Sequence, residues 1–136
     1  MAQHASATEP KQHWRDLIWW SNDGIRLHAR VYDPPAGVAE EAPPVLCIPG
    51  LTRNARDFER LAPHLAQRRR VYALDLRGRG ESAYAKDAMT YMPLTYVQDV
   101  VALLDAEGIT RFCSVGTSLG GLVTMLIAAT QPGRLS

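Results

Sequence analysis

Between residues 25 and 32 the chain alternates. Ile25, Leu27, Ala29 and Val31 are apolar and interleave with Arg26, His28, Arg30 and Tyr32. A period of two predicts a strand with one buried face, and His28 falls on the polar one. Asn22-Asp23-Gly24 supplies the positive φ angles of a tight turn, with Leu17 to Trp20 before it, so Trp14 to Asp33 is expected to be a hairpin. Pro34-Pro35 and Pro43-Pro44 bracket a loop, since neither pair can join a sheet ladder. Beyond them the pattern changes. Val45 to Ile48, Val71 to Leu74 and Phe112 to Val115 are continuous apolar runs, each predicting a strand buried on both faces. Leu61 and Leu65 keep helical spacing up to Gln67, with Pro63 in the first turn. A second helix is predicted from Leu94 to Glu107: Val97, Val100, Val101 and Leu104 share a face, Asp99 and Asp105 lie off it, and Gly108 suits the cap. A third, Gly120 to Thr130, is apolar nearly all round and is expected to be buried. Strands alternating with helices imply βαβ units and a parallel sheet covered on both faces, which is the α/β class.

Composition narrows this. The 136 residues suit one domain, and 46% apolar with 21% charged residues excludes a disordered chain. Fifteen basic residues against fourteen acidic leave a net charge of +1, which argues against a nucleic-acid binder. Arg68-Arg69-Arg70 reads as a solvated helix end. No stretch approaches the ~20 apolar residues of a membrane span. The polar opening residues lack a signal peptide's apolar core, so residues 1–13 are expected to be a flexible tail and 14–136 one domain. Cys47 and Cys113 sit in apolar runs and read as buried free thiols. The four histidines are scattered and no CxxC occurs, so no metal is expected, and the compartment expected is the cytoplasm.

The chemistry lies in Ser114-Val115-Gly116-Thr117-Ser118-Leu119-Gly120-Gly121, which closes a predicted strand and opens a predicted helix. It contains G-x-S-x-G. A serine held at the apex of a strand-to-helix turn needs a strained backbone, and side chains two residues either side would collide, so Gly116 and Gly120 fit both places. The Ser118 hydroxyl would stand clear at the carboxyl end of the sheet. The Leu119 N–H would point to the same place, aided by the positive end of the helix dipole.

Three motifs in order make the chain resemble the N-terminal half of an α/β-hydrolase. Ile48-Pro49-Gly50-Leu51 resembles the loop after the third strand, Asp75-Leu76-Arg77-Gly78-Arg79-Gly80-Glu81-Ser82 the D-x-R-G-x-G-x-S loop, and Gly116 to Gly120 the nucleophile elbow. The resemblance implies a three-layer fold, a mostly parallel sheet with an N-terminal antiparallel hairpin. It also implies Ser118 as nucleophile, the Leu51 and Leu119 amides as oxyanion hole, and a small-molecule acyl substrate, most simply an ester, with no cofactor. Serine at the elbow argues against the branches that use a carboxylate nucleophile.

Two departures stand out. Pro49 occupies a position where many members have histidine. The family's acid and histidine follow the nucleophile, yet the eighteen residues after Ser118 include no His, Asp or Glu. His4, His13, His28 and His64 are not placed beside Ser118 by the family's geometry. The chain is therefore expected to be truncated after the nucleophile helix, silent by itself, and prone to self-association through an exposed sheet edge. Asp75 and Arg77 read as structural, through local pairing. Tyr84, Met89, Tyr91 and Met92 read equally as a substrate entrance or as surface packing. A non-catalytic binding protein on the same fold is the rival reading. A nucleotide-binding domain is weaker, because the glycines do not complete G-x-G-x-x-G.

Overall fold

The computed structural model describes residues 14–40 and 42–136; the expected tail, with His4 and His13, lies outside them. Five strands form one sheet: β1 (Arg15–Trp20), β2 (Arg26–Tyr32), β3 (Val45–Ile48), β4 (Val71–Asp75) and β5 (Cys113–Gly116). Three α-helices accompany them: α1 (Leu61–Leu65), α2 (Pro93–Ala106) and α3 (Leu119–Thr130). The order across the sheet is β1-β2-β4-β3-β5. Strands β4, β3 and β5 run parallel, and the hairpin β1-β2 joins β4 antiparallel. Gly24 turns the hairpin at φ +84°, and Ser21 Oγ accepts the Ile25 N–H at 2.8 Å.

The continuous apolar runs produce the three layers. In β3 and β4 alternate residues point to opposite faces. Leu46, Ile48, Tyr72 and Leu74 join the core under α2 and α3, with Val100, Leu103, Leu104, Val123 and Ile127. Val45, Cys47, Val71 and Ala73 pack on the other side against Phe58, Ala62 and Ala66. Met92 precedes α2, Pro93 opens it, and Gly108 at φ +67° closes it while Ile109 N–H reaches the Leu104 carbonyl at 2.8 Å.

Several expectations are corrected. The polar face of β2 is largely buried: His28 and Tyr32 have almost no exposure, because β2 lies inside the sheet and the segment around Ala55 and the loop after β4 cover that face. Strand β5 is half-buried rather than buried on both faces, since it pairs only with β3 among the described strands. Helix α3 buries only Gly120, Val123 and Ile127 fully, while Leu122 and Met125 face outward. Helix α1 is five residues long and seats Ala62, with Leu61 exposed. Cys113 is half-buried, unlike Cys47, and receives a contact from Arg69. No helix among the described residues is long and apolar enough to cross a membrane.

Candidate active site

Ser118 joins the end of β5 to the start of α3 with φ 54° and ψ −113°, and is the one non-glycine residue with positive φ among those described. Such a conformation costs a β-carbon-bearing residue about 1–3 kcal/mol and persists only where the surroundings impose it. Here they do. The Thr117 N–H donates to the Ile48 carbonyl at 3.2 Å, tying the turn to the end of β3. On the helix side, the Ser118 carbonyl accepts the Gly121 N–H at 2.9 Å and the Leu122 N–H at 3.2 Å.

The flanking glycines are steric requirements. A β-carbon on Gly116 would overlap the Gly120 carbonyl and lie 2.6 Å from the Gly121 nitrogen. One on Gly120 would be driven into the Ile48 carbonyl. The loop after β3 arrives at the same place: a β-carbon built on Gly50 would lie 3.6 Å from the Ser118 Cβ. Leu119 opens α3, so its N–H is among the amides a helix leaves without an internal partner. Elbow and β3 loop, two of the three motifs, are therefore brought together around Ser118.

The third motif builds something else. Asp75 ends β4 and is buried, with its carboxylate accepting the Ala55 N–H at 2.8 Å and the Glu81 N–H at 3.0 Å. The His28 ring bridges Asp75 at 2.7 Å and Asp16 at 2.6 Å. Burial pulls the His28 pKa down, but the bonds to Asp75 and Asp16 outweigh it and leave it raised. Burial likewise works against the Asp75 charge, and His28 with the two amides holds its pKa below the ordinary value. Gly80, at φ +53°, passes so close that a β-carbon would run into the Asp75 carboxylate. Arg77 is almost wholly buried and donates to Asp99 at 2.7 and 2.8 Å and to Asp23 at 2.9 and 3.0 Å. Asp75 thus pairs both within its own loop and with distant residues, and Arg77 pairs with distant carboxylates rather than locally. Asp99, expected off the helix's packed face, is buried to meet Arg77.

His28 is consumed by this network. It borders an open cleft of about 510 Å³ with Trp14, Asp16, Arg30 and Arg56, which Ser118 does not line. His64 is exposed on α1. Neither has a hydrogen bond to Ser118. Tyr84 and Met89 project into solvent, whereas Tyr91 packs under the loop, its hydroxyl accepting the Ala85 N–H at 2.7 Å. No group of three or more His, Cys, Asp or Glu among the described residues is arranged to hold a metal ion.

Residues 43–136 match the family described as alpha/beta hydrolase fold. The chain belongs to that family. An alpha/beta hydrolase from Novosphingobium aromaticivorans superimposes with a TM-score of 0.84 at 56% identity, covering 93% of this chain and 43% of that one. A 3-hydroxybutyrate-oligomer hydrolase of Cupriavidus necator is 39% identical over 84 residues, 62% of this chain and 29% of its own. Lipase LipV of Mycobacterium tuberculosis is 37% identical over 115 residues, 82% of this chain and 40% of its own. The hydrolase-fold chain thus spans less than half the length of each of these relatives.

Proposed function

We propose that this chain carries the nucleophile and oxyanion hole of a serine hydrolase acting on an ester-like acyl bond of a small molecule. The observation that carries the reading is the Ser118 backbone, held at φ 54° between two glycines that no larger residue can replace. Strain of that kind concentrates at reactive positions. Relatives named as a hydrolase and a lipase support hydrolysis as the reaction class.

In this mechanism Ser118 Oγ attacks the acyl carbon, and its proton passes to a base. The carbonyl oxygen gains negative charge and sits against the Leu51 and Leu119 amides. Collapse of the tetrahedral species expels the alcohol, which takes the proton, and water then releases the acid from the acyl-enzyme. A serine hydroxyl is a weak nucleophile without a base. Among the described residues no base is hydrogen-bonded to Ser118, so in this reading the acid and histidine come from outside them. The described residues by themselves are silent towards esters. They also self-associate through the side of β5 that faces away from β3, beyond the Phe112–Leu135 bridge, and through the exposed Leu122 and Met125. The setting is the cytoplasm.

The test is fluorophosphonate labelling and chromogenic ester turnover by the protein as its gene encodes it, compared with Ser118→Ala. Labelling and turnover are expected to vanish in the variant while the thermal melt is retained. Retained turnover in a pure Ser118→Ala sample removes Ser118 from the role. An inert but well-folded parent protein favours a binding function for the fold.

A further inference from the structure

We infer that Arg79 is a positioning residue for the loop that presents the Leu51 amide beside Ser118. The inference rests on the Ser118 reading above and concerns how its oxyanion donor is aimed. Leu51 poses a physical problem: the residue is 60% exposed, so packing does little to hold its backbone angles. Its two flanking peptide planes must be pinned by hydrogen bonds instead.

Both are. The Gly50 carbonyl accepts the Arg53 N–H at 3.2 Å. In a trans peptide the carbonyl and the N–H point in opposite directions, so this bond turns the Leu51 N–H of the same plane away from the turn. The next plane is held from across the site, where the Leu51 carbonyl accepts Arg79 Nε at 2.7 Å. With one bond on each side of its α-carbon, Leu51 has little freedom left in φ or ψ.

Arg79 is itself well anchored. Its Nη1 donates to the Arg77 carbonyl at 3.1 Å, and its guanidinium lies 5.0 Å from the centroid of the Tyr96 ring. Tyr96 is buried on α2, and the Arg77 side chain is locked by Asp99 and Asp23. A chain of contacts therefore runs from the buried charge network, through Arg79, to the loop beside Ser118. The planar guanidinium reaches two carbonyls and the ring at once, which a lysine ammonium, a single point of charge, cannot reproduce in full.

The experiment compares Arg79→Met, Arg79→Lys and Ser118→Ala in the protein as its gene encodes it. The readouts are kcat and KM for p-nitrophenyl acetate and butyrate, the rate of fluorophosphonate inactivation, and the thermal melt. Arg79→Met is expected to lower kcat and the inactivation rate about 10- to 100-fold, the scale of a displaced oxyanion donor, with KM nearly unchanged. Arg79→Lys recovers part of the loss through a single bond to the Leu51 carbonyl. Parent-like kcat in Arg79→Met, with Ser118→Ala silent, overturns the role of Arg79 and leaves the Ser118 reading standing. Turnover indifferent to Ser118→Ala overturns both. A fall in kcat matched by a collapse of the melt in both Arg79 variants assigns the residue to folding and overturns the inference.

Discussion

Two polar regions meet near the carboxyl ends of the parallel strands, and they are built on opposite terms. Around Asp75 and Arg77 the charged side chains are buried and matched: His28 and two backbone amides satisfy Asp75, and Asp99 with Asp23 satisfies Arg77. Around Ser118 the backbone is strained, the glycines leave no slack, and the residue is exposed without a hydrogen-bonding histidine among the described residues. Buried charge must be paired to be tolerated, so the first region is scaffold. An exposed hydroxyl on a strained backbone adds no packing or paired charge, so folding stability does not account for this region as it does for the first. Both regions come from motifs of similar look, glycine-rich loops after a sheet strand, and only their partners tell them apart.

The contrast breaks most visibly at the elbow glycines. Gly120→Val places a side chain in the Ile48 carbonyl, and the expected destabilisation exceeds about 4 kcal/mol, a large share of a domain's usual stability. Loss of the cooperative thermal transition is the readout, and a Gly120→Val protein that melts like its parent contradicts the packing of elbow against β3.

The scaffold is tested next by Asp99→Ala, which strips the buried Arg77 of two bonds and leaves it Asp23 alone. Breaking a buried pair usually costs about 3–5 kcal/mol, and the remaining Asp23 places this case near the lower end, about 3 kcal/mol. Urea unfolding measures it, and a loss below about 1 kcal/mol reduces the network to the value of a surface pair.

The smallest effect has the opposite sign. The mirror image of φ 54°, ψ −113° is ordinary extended backbone, so glycine adopts it without strain. Ser118→Gly is expected to raise stability by about 1 kcal/mol while removing the hydroxyl. An unchanged or lower urea midpoint denies that strain is stored at this residue. Elbow and scaffold thus respond in opposite directions to losing their polar side chains.

Much of the site was legible because its causes are local. The G-x-S-x-G glycines follow from the crowding of a sharp strand-to-helix turn, and Ser118 has the strained backbone, at positive φ, that such a turn needs. The apolar runs of β3 and β4 announced burial on both faces because alternate residues along each run fill both cores. His28 is not legible in the sequence: in an alternating strand a polar residue opposite a buried face looks solvated, and nothing near it in sequence signals Asp75, 47 positions away. Asp99 failed for the same reason, since an acid at the side of an amphipathic helix looks exposed until Arg77 is placed beneath it.

The sequence by itself therefore determined the α/β class, the both-face burial of the central strands and the conformation demanded at Ser118. Each is dictated by sterics and burial within a few residues of chain. Tertiary structure alone decided that β2 lies inside the sheet, that β5 pairs on one side, and that Gly50 arrives beside Ser118. It also decided which charges are paired and that Arg79 reaches Leu51. Those outcomes depend on strand order and on contacts between distant segments, and no local pattern of polar and apolar residues encodes which partner a given carboxylate, guanidinium or loop will meet.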